Sequence, residues 1–398
     1  MTYLVQLVLI LLLTKLGAHV SNRLKFPSVI GELLVGVIAG PAILHLLVPT
    51  TFVHYFAELG VIILMFIAGL EGDLNLLLRY WRPALTVATL GVIFPTVGAA
   101  ALCIFVFGFH WSTSIFIGLV LSATSVSISV QVLKEMGHLN TREGAIILGA
   151  AVADDIMCVI LLGICVGIFG TGAASNQPLA LMLLTKLLFF GAMFILGRWF
   201  VPRFLQFFSQ LTASENETTG AIILCFGFAA IAVALGMSDV LGAYFAGLAI
   251  SQTNFKDKLA LKIEPIGYAL FIPVFFVSIG LNISFTGMQH DLPFIGALII
   301  IAILGKQIGG ALGARLFHLD WPAANVVGAG MISRGEMALV VANVALGAHL
   351  IDQNHYTAMI VVTVVTTIIA PFVLKLFIQQ SVNQPVKSIK INEVKSNE

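Results

Sequence analysis

Charge is scarce in this chain. Only 10% of its 398 residues are charged, against 59% hydrophobic residues. With a mean hydropathy of +1.05, that balance excludes a soluble fold. Nor does either sign dominate: a formal net charge of +1 without a basic run offers nothing to nucleic acid. Cysteine is sparse too. Cys103, Cys158, Cys165 and Cys225 fall inside apolar segments without a C-x-x-C pair, which argues against a disulfide framework or zinc site and for small core residues. Residues 1–20 lack a positive n-region and a small-residue cleavage site, so they read as a first membrane helix rather than a signal peptide.

What the chain has in abundance is apolar stretches of spanning length. Thirteen are predicted, at roughly 3–20, 27–47, 53–70, 83–107, 113–133, 144–170, 179–200, 215–236, 238–252, 263–283, 293–314, 322–348 and 356–378. The result is an all-α polytopic membrane protein. Basic residues orient it. Loops after odd-numbered segments hold Arg23, Lys25, Arg79, Arg82, Lys134, Arg142, Arg203, Lys256, Lys258, Lys262 and Arg315. Arg198 and Lys375 lie at segment ends on that side, and Lys387, Lys390 and Lys395 in the tail; loops after even-numbered segments have no basic residue. The positive-inside rule then puts the N-terminus outside and the C-terminus in the cytoplasm of a plasma-membrane protein. Lys15 is placed to snorkel to the inner face and Lys186 to the outer.

One offset, 211 residues, relates three pairs of segments. Val29-Ile30-Gly31-x-x-x-x-Gly36 recurs as Val240-Leu241-Gly242-x-x-x-x-Gly247, Gly69-Leu70 as Gly280-Leu281, and Leu121-Ser122 as Ile332-Ser333. The offset equates segments 2, 3 and 5 with 9, 10 and 12. A shift of seven spans is odd, so the copies are inverted across the membrane, the usual build of a secondary transporter with its site at mid-depth. The expected division is repeat 1 at 1–172, a connecting segment at 173–212, repeat 2 at 213–380 and a cytoplasmic tail at 381–398.

Against this background the buried charges stand out. Asp154 and Asp155 sit side by side halfway along the sixth segment. Each carboxylate there costs about 2.5–3.5 kcal/mol even on lenient insertion scales. At 1.5 Å per residue, Asp154, Asp155, Lys306, Arg334 and Glu336 all lie roughly 16–21 Å deep, near the middle of a core about 30 Å thick. Three segments thus bring charge to one level. Segments 5 and 12 look broken at that level. Ser122-Ala123-Thr124-Ser125-Val126-Ser127-Ile128-Ser129 is rich in hydroxyls, and Gly328-Ala329-Gly330-Met331-Ile332-Ser333-Arg334-Gly335-Glu336 in glycine. Unwound backbone is tolerated at mid-depth where protein or a wet cavity solvates it. Hydroxyls, carbonyls and carboxylates are hard oxygen ligands for a small alkali cation.

Blander readings compete. The serines can bond to the preceding turn or glue helices together. Arg334 and Glu336 read as charges compensating broken-helix ends rather than as ion ligands. Lys306 either carries a proton or permanently neutralises Asp154. Asp155 has the poorest bland reading, since Lys306 is the one obvious basic partner for two carboxylates. Glu71, Asp73, Arg79 and Arg82 read as a solvated loop, and Glu32 as either funnel lining or a snorkelling surface group.

The pattern resembles the NapA-type monovalent cation:proton antiporters, whose relatives include Kef-type potassium systems. The residues that carry it are Gly31-Glu32-Leu33-Leu34-x-Gly36-x-x-x-Gly40-Pro41, Phe66-x-x-Gly69-Leu70-Glu71, Ser122-Ala123-Thr124-Ser125, Ala151-Val152-Ala153-Asp154-Asp155, Gly305-Lys306 and Ser333-Arg334-Gly335-Glu336. The resemblance implies a dimerisation domain, a mobile core with segments 5 and 12 crossed, and a homodimer. An Asp-Asp pair with Lys306 looks like the electrogenic sodium-exporting branch. The expected function is exchange of cytoplasmic Na⁺ or Li⁺ for external protons by alternating access, serving pH homeostasis. The cation would bind Asp155, Asp154, Thr124 and Ser125; Lys306 would be proton carrier or charge partner. No cofactor and no enzymatic activity are expected, and the alternative is a Kef-type K⁺/H⁺ antiporter without its nucleotide-binding domain. An intramembrane aspartyl protease needs its carboxylates on different helices, a channel lacks proton coupling, and a bile-acid-type symporter usually has ten spans.

Overall fold

The computed structural model describes residues 3–169, 179–281, 292–347 and 350–382. Every regular element among them is helical. An apolar chain in lipid has little choice, because each backbone N–H and C=O must find its partner within its own segment. In order these are α1 (Tyr3–Arg23), α2 (Ser28–Ala39), α3 (Thr51–Glu71), the short α4 (Leu74–Arg79), α5 (Trp81–Phe105), α6 (Trp111–Ser122), α7 (Val126–Glu135) and α8 (Arg142–Phe169). There follow α9 (Leu179–Ile195), α10 (Val201–Ser209), α11 (Asn216–Ala234), α12 (Asp239–Ile250), α13 (Lys256–Ile266), α14 (Ile272–Leu281), α15 (Leu292–Arg315), α16 (Trp321–Gly330), α17 (Glu336–Gly347) and α18 (Gln353–Val382). Among the described residues ten helical stretches are long and apolar enough to cross a membrane, and α2, α12 and Met337–Gly347 are shorter apolar helices. Residues 170–178 and 282–291 and the tail lysines 387, 390 and 395 lie outside the described residues.

Three segments depart from their predicted outline. The second, expected to reach residue 47, stops as a helix at Ala39. Pro41 has no N–H with which to continue the ladder. The chain folds back instead, and Leu44, Leu46 and Leu47 donate their amides to the carbonyls of Ile38 and Ala39 at 2.8–3.0 Å. The seventh and tenth segments carry π turns at Leu196–Phe200 and Gly267–Phe271. Pro202 and Pro273 deny an amide to the carbonyls four residues earlier, Arg198 and Ala269, and both of those fall inside a π turn, which supplies other partners.

Contacts sort the helices into two bundles. The first gathers α1, α2, α3, α11, α12, α13 and α14; the second gathers α5 to α8 and α15 to α18, with fewer contacts across the seam. Backbone touches backbone inside the first bundle. A β-carbon on Gly36 would stand on the Val277 carbonyl beside Gly280, and one on Gly247 would stand on the Phe66 carbonyl beside Gly69. These two contacts are related by the same 211-residue shift as the sequence motifs. So is a further pair: Gly31 meets the carbonyl of Gly17, and Gly242 that of Phe228.

In the second bundle the fifth and twelfth segments are interrupted. α6 ends at Ser122 and α7 starts at Val126; α16 ends at Gly330 and α17 starts at Glu336. Gly309 and Gly313 of α15 pack on the backbone of α5 at Leu90 and Val87, and Gly305 packs on Pro95. That tight pairing fixes the helix that carries Lys306.

Candidate functional site

The two interruptions meet. The amide of Ser125 donates to the Ser333 carbonyl at 2.8 Å, and the Ser333 hydroxyl donates to the Ser125 carbonyl at 2.6 Å. The Ser129 hydroxyl donates to the Gly330 carbonyl at 2.5 Å. Each break thus satisfies part of the other's exposed backbone, as buried unwound chain requires.

Arg334 completes the crossing. It is fully buried, and its guanidinium donates from Nε and Nη2 to Leu121 O at 2.9 and 2.6 Å, from Nη1 to Ile332 O at 2.8 Å, and from Nη2 to Ala302 O at 2.7 Å. Leu121 lies at the C-terminal end of α6 and Ile332 just past that of α16. These are the negative ends of two helix dipoles, where a cation belongs. The two carbonyls are themselves related by the shift of 211. Glu336 opens α17, but its side chain lies outside the described residues.

Lys306 follows Ala302 by one turn of α15 and pairs with Asp154; both are fully buried, with Lys306 Nζ 3.1 and 3.2 Å from the carboxylate oxygens. Neighbouring residues on a helix project about 100° apart. Asp154 therefore points into the second bundle, whereas Asp155 turns to the seam, where it lines a cavity of about 20 Å³ with Val126, Leu148 and Val152 of its own bundle and Met65, Val240, Leu241 and Tyr244 of the other. Thr124 is buried at the break, and its hydroxyl has no hydrogen-bond partner among the described residues. Ser125 and Arg334 also line a larger cavity of about 170 Å³, bounded by His54 and Glu58 of α3. Among the described residues no three His, Cys, Asp or Glu side chains gather to hold a metal. The carboxylate, hydroxyl and carbonyl oxygens near the two breaks are hard donors, the kind that alkali cations prefer to sulfur or imidazole.

Other charges are placed differently from their sequence reading. Glu71 is no solvated loop residue: Lys134 of α7 bridges it at 2.7 Å and Glu264 of α13 at 3.3 Å, and lies 4.8 Å from the Tyr268 ring centre. Glu32 is buried and lines a cavity of about 350 Å³ with Lys15, His19, Gln131 and Tyr268, which resolves its two readings in favour of cavity lining. Lys186 does not snorkel. It is buried, and its ammonium donates to the Gly236 carbonyl just beyond α11. The cysteines are free thiols, with Cys103, Cys158 and Cys225 buried. Sequence reasoning missed Tyr244 and the Lys134 bridge. The first looks like one more core aromatic, and the partners of the second are 63 and 130 residues away.

Residues 8–380 match the family model "Sodium/hydrogen exchanger, transmembrane". A Na(+)/H(+) antiporter of Enterococcus hirae is 43% identical over 381 residues, covering 93% of this chain and 97% of its own. The Na(+)/H(+)-K(+) antiporter GerN of Bacillus cereus is 44% identical over 370 residues, covering 93% and 95%. Among solved structures, the sodium proton antiporter MjNhaP1 of Methanocaldococcus jannaschii at pH 8 superposes with a TM-score of 0.68 at 18% identity, over 94% of this chain and 97% of that one. At that identity it shows the fold alone. The chain belongs to the sodium/hydrogen exchanger family. The match is to that family as a whole, not to the narrower NapA-type branch, and Kef-type systems form a different family.

Proposed function

From membership of the sodium/hydrogen exchanger family we propose that this chain exports cytoplasmic Na⁺, or Li⁺, in exchange for external protons by alternating access. Asp155 holds either a proton or the cation, and Asp154, Thr124 and Ser125 contribute further oxygens. The observation that carries this reading is the placement of two adjacent carboxylates: Asp154 is locked to Lys306 at 3.1 Å, while Asp155 opens onto the seam. Burial penalises both charged forms of such a pair. Na⁺ drawing on Asp154 releases Lys306, which gives up its proton; two protons then move inward for each Na⁺ outward. That cycle is electrogenic, driven by about 2.3 kcal/mol per 100 mV.

The remainder of the reading follows the basic residues and the 211-residue shift. The N-terminus faces outside and the C-terminus the cytoplasm; two inverted six-helix repeats, 1–172 and 213–380, are joined through 173–212. The second bundle moves on the first, which also serves a homodimer of the NapA type. Supporting the repeat are the glycine contacts at Gly36–Gly280 and Gly69–Gly247. A Kef-type exchanger is not favoured by the relatives above, although the GerN description gives potassium a place as a second cargo.

Asp155→Asn tests the core of the proposal. Na⁺-dependent dequenching of a pH dye in everted vesicles is expected to disappear, and retained dequenching would remove Asp155 from the transport cycle. Solid-supported membrane electrophysiology with each alkali cation reports selectivity and net charge.

A further inference from the structure

We propose that the phenol of Tyr244 is a specificity-determining ligand of the transported cation, supplied from the first bundle to the ion held on Asp155. The inference rests on the reading of Asp155 given above and deepens it.

Tyr244 is 2% exposed, and its hydroxyl has no hydrogen-bond partner among the described residues. Burying an unpaired hydroxyl is unfavourable, and phenylalanine would fill the same space without that cost. The oxygen therefore answers to something other than packing. The cavity it lines indicates what. A site needs roughly 10–15 Å³ on this measure to admit one water molecule, and this one offers about 20 Å³. Its other walls are Met65, Val126, Leu148, Val152 and neighbours without polar side chains. A single particle fits, with the Asp155 carboxylate and the Tyr244 phenol as the polar side chains around it. When Asp155 carries a proton, a water fits there. When it is ionised, a small cation takes the place of that water and receives a neutral oxygen from the phenol. An ion confined to such a volume has shed most of its hydration, which favours Na⁺ and Li⁺ over the larger K⁺.

The phenol is also anchored. A β-carbon on Gly69 would stand on the Tyr244 carbonyl, and Gly247 one turn later sits on Phe66, so α12 is held on α3 backbone to backbone. Tyr244 belongs to the first bundle and Asp155 to the second. The shared oxygen shell accordingly exists in one arrangement of the bundles and is broken in the other.

Tyr244→Phe is the test, read in proteoliposomes by half-saturating Na⁺ and by the Na⁺:K⁺ ratio, and in purified protein by Na⁺-induced thermal stabilisation. The variant is expected to fold with an unchanged or higher Tm in the absence of Na⁺. Its half-saturating Na⁺ should rise about tenfold, the loss of one good ligand; the Na⁺:K⁺ preference should fall, and Na⁺ should stabilise it less. Unchanged half-saturation and cation ratio, with a raised Tm, would return Tyr244 to the core and overturn the inference. Asp155→Asn measured alongside separates the two levels. If that variant keeps the Na⁺-induced stabilisation, the assignment of Asp155 falls; if it loses it while Tyr244→Phe behaves as wild type, the phenol alone falls.

Discussion

Arg334 and Lys306 are two fully buried cations in the same bundle, solvated in opposite ways. Arg334 is held by three backbone carbonyls, acceptors that neither titrate nor leave. Lys306 is held by one side-chain carboxylate, which can gain a proton or turn to another cation. The first is a permanent joint, stabilised by groups that exist whether or not an ion is present. In the proposed cycle the second is undone when Na⁺ draws on Asp154, and the neighbouring Asp155 lines the seam. Burial by itself therefore does not distinguish a fixed charge from one that can exchange its partner; the chemistry of that partner is what the proposal turns on.

Removing the permanent joint should have the largest effect. Arg334→Ala leaves the Leu121, Ile332 and Ala302 carbonyls short of their donors, at about 1–3 kcal/mol for each group left unsatisfied. Loss of monodisperse protein on size-exclusion chromatography is the expected result. Arg334→Lys should recover little, since an ammonium cannot span the same fork of acceptors. An Arg334→Ala protein with wild-type Tm and full transport would erase the contrast. Lys306→Gln comes next. Breaking a buried pair from one side costs about 3–5 kcal/mol, and adding Asp154→Asn should restore much of it. A double-mutant cycle is expected to give a coupling of about 1 kcal/mol or more, and voltage sensitivity in proteoliposomes should fall. Additive effects with unchanged voltage response would make Lys306 a second fixed joint. The smallest change is Thr124→Val. It should leave Tm intact, because the hydroxyl has no protein partner, while raising half-saturating Na⁺ severalfold; a loss of Tm would move Thr124 to the structural side.

The pair Asp154–Lys306 and the two interruptions are legible in the sequence, because a charge or a glycine–serine run in an apolar segment has a known cost and needs a compensating use. The thirteen apolar ranges came from the same contrast. Hydropathy could not locate the π turns at 196–200 and 267–271, which answer to single prolines acting four residues back. Tyr244 was invisible because a tyrosine among Leu, Ala and Phe reads as packing until its hydroxyl is seen to lack a partner. Lys134, Glu71 and Glu264 escaped for the opposite reason. Charges at segment ends look wet, and only the tertiary arrangement brings α3, α7 and α13 together.

The glycine contacts of the first bundle carry a mechanical consequence. Where carbonyl oxygens rest directly on a neighbouring helix, no side chains remain to tilt or repack, so α2 with α14 and α3 with α12 behave as a stiff frame. Compliance is left to the seam, where bulkier side chains and small voids separate the surfaces. A larger residue at Gly36, Gly69, Gly247 or Gly280 would prise that frame apart, and in the proposed cycle the second bundle would lose the fixed surface on which it moves.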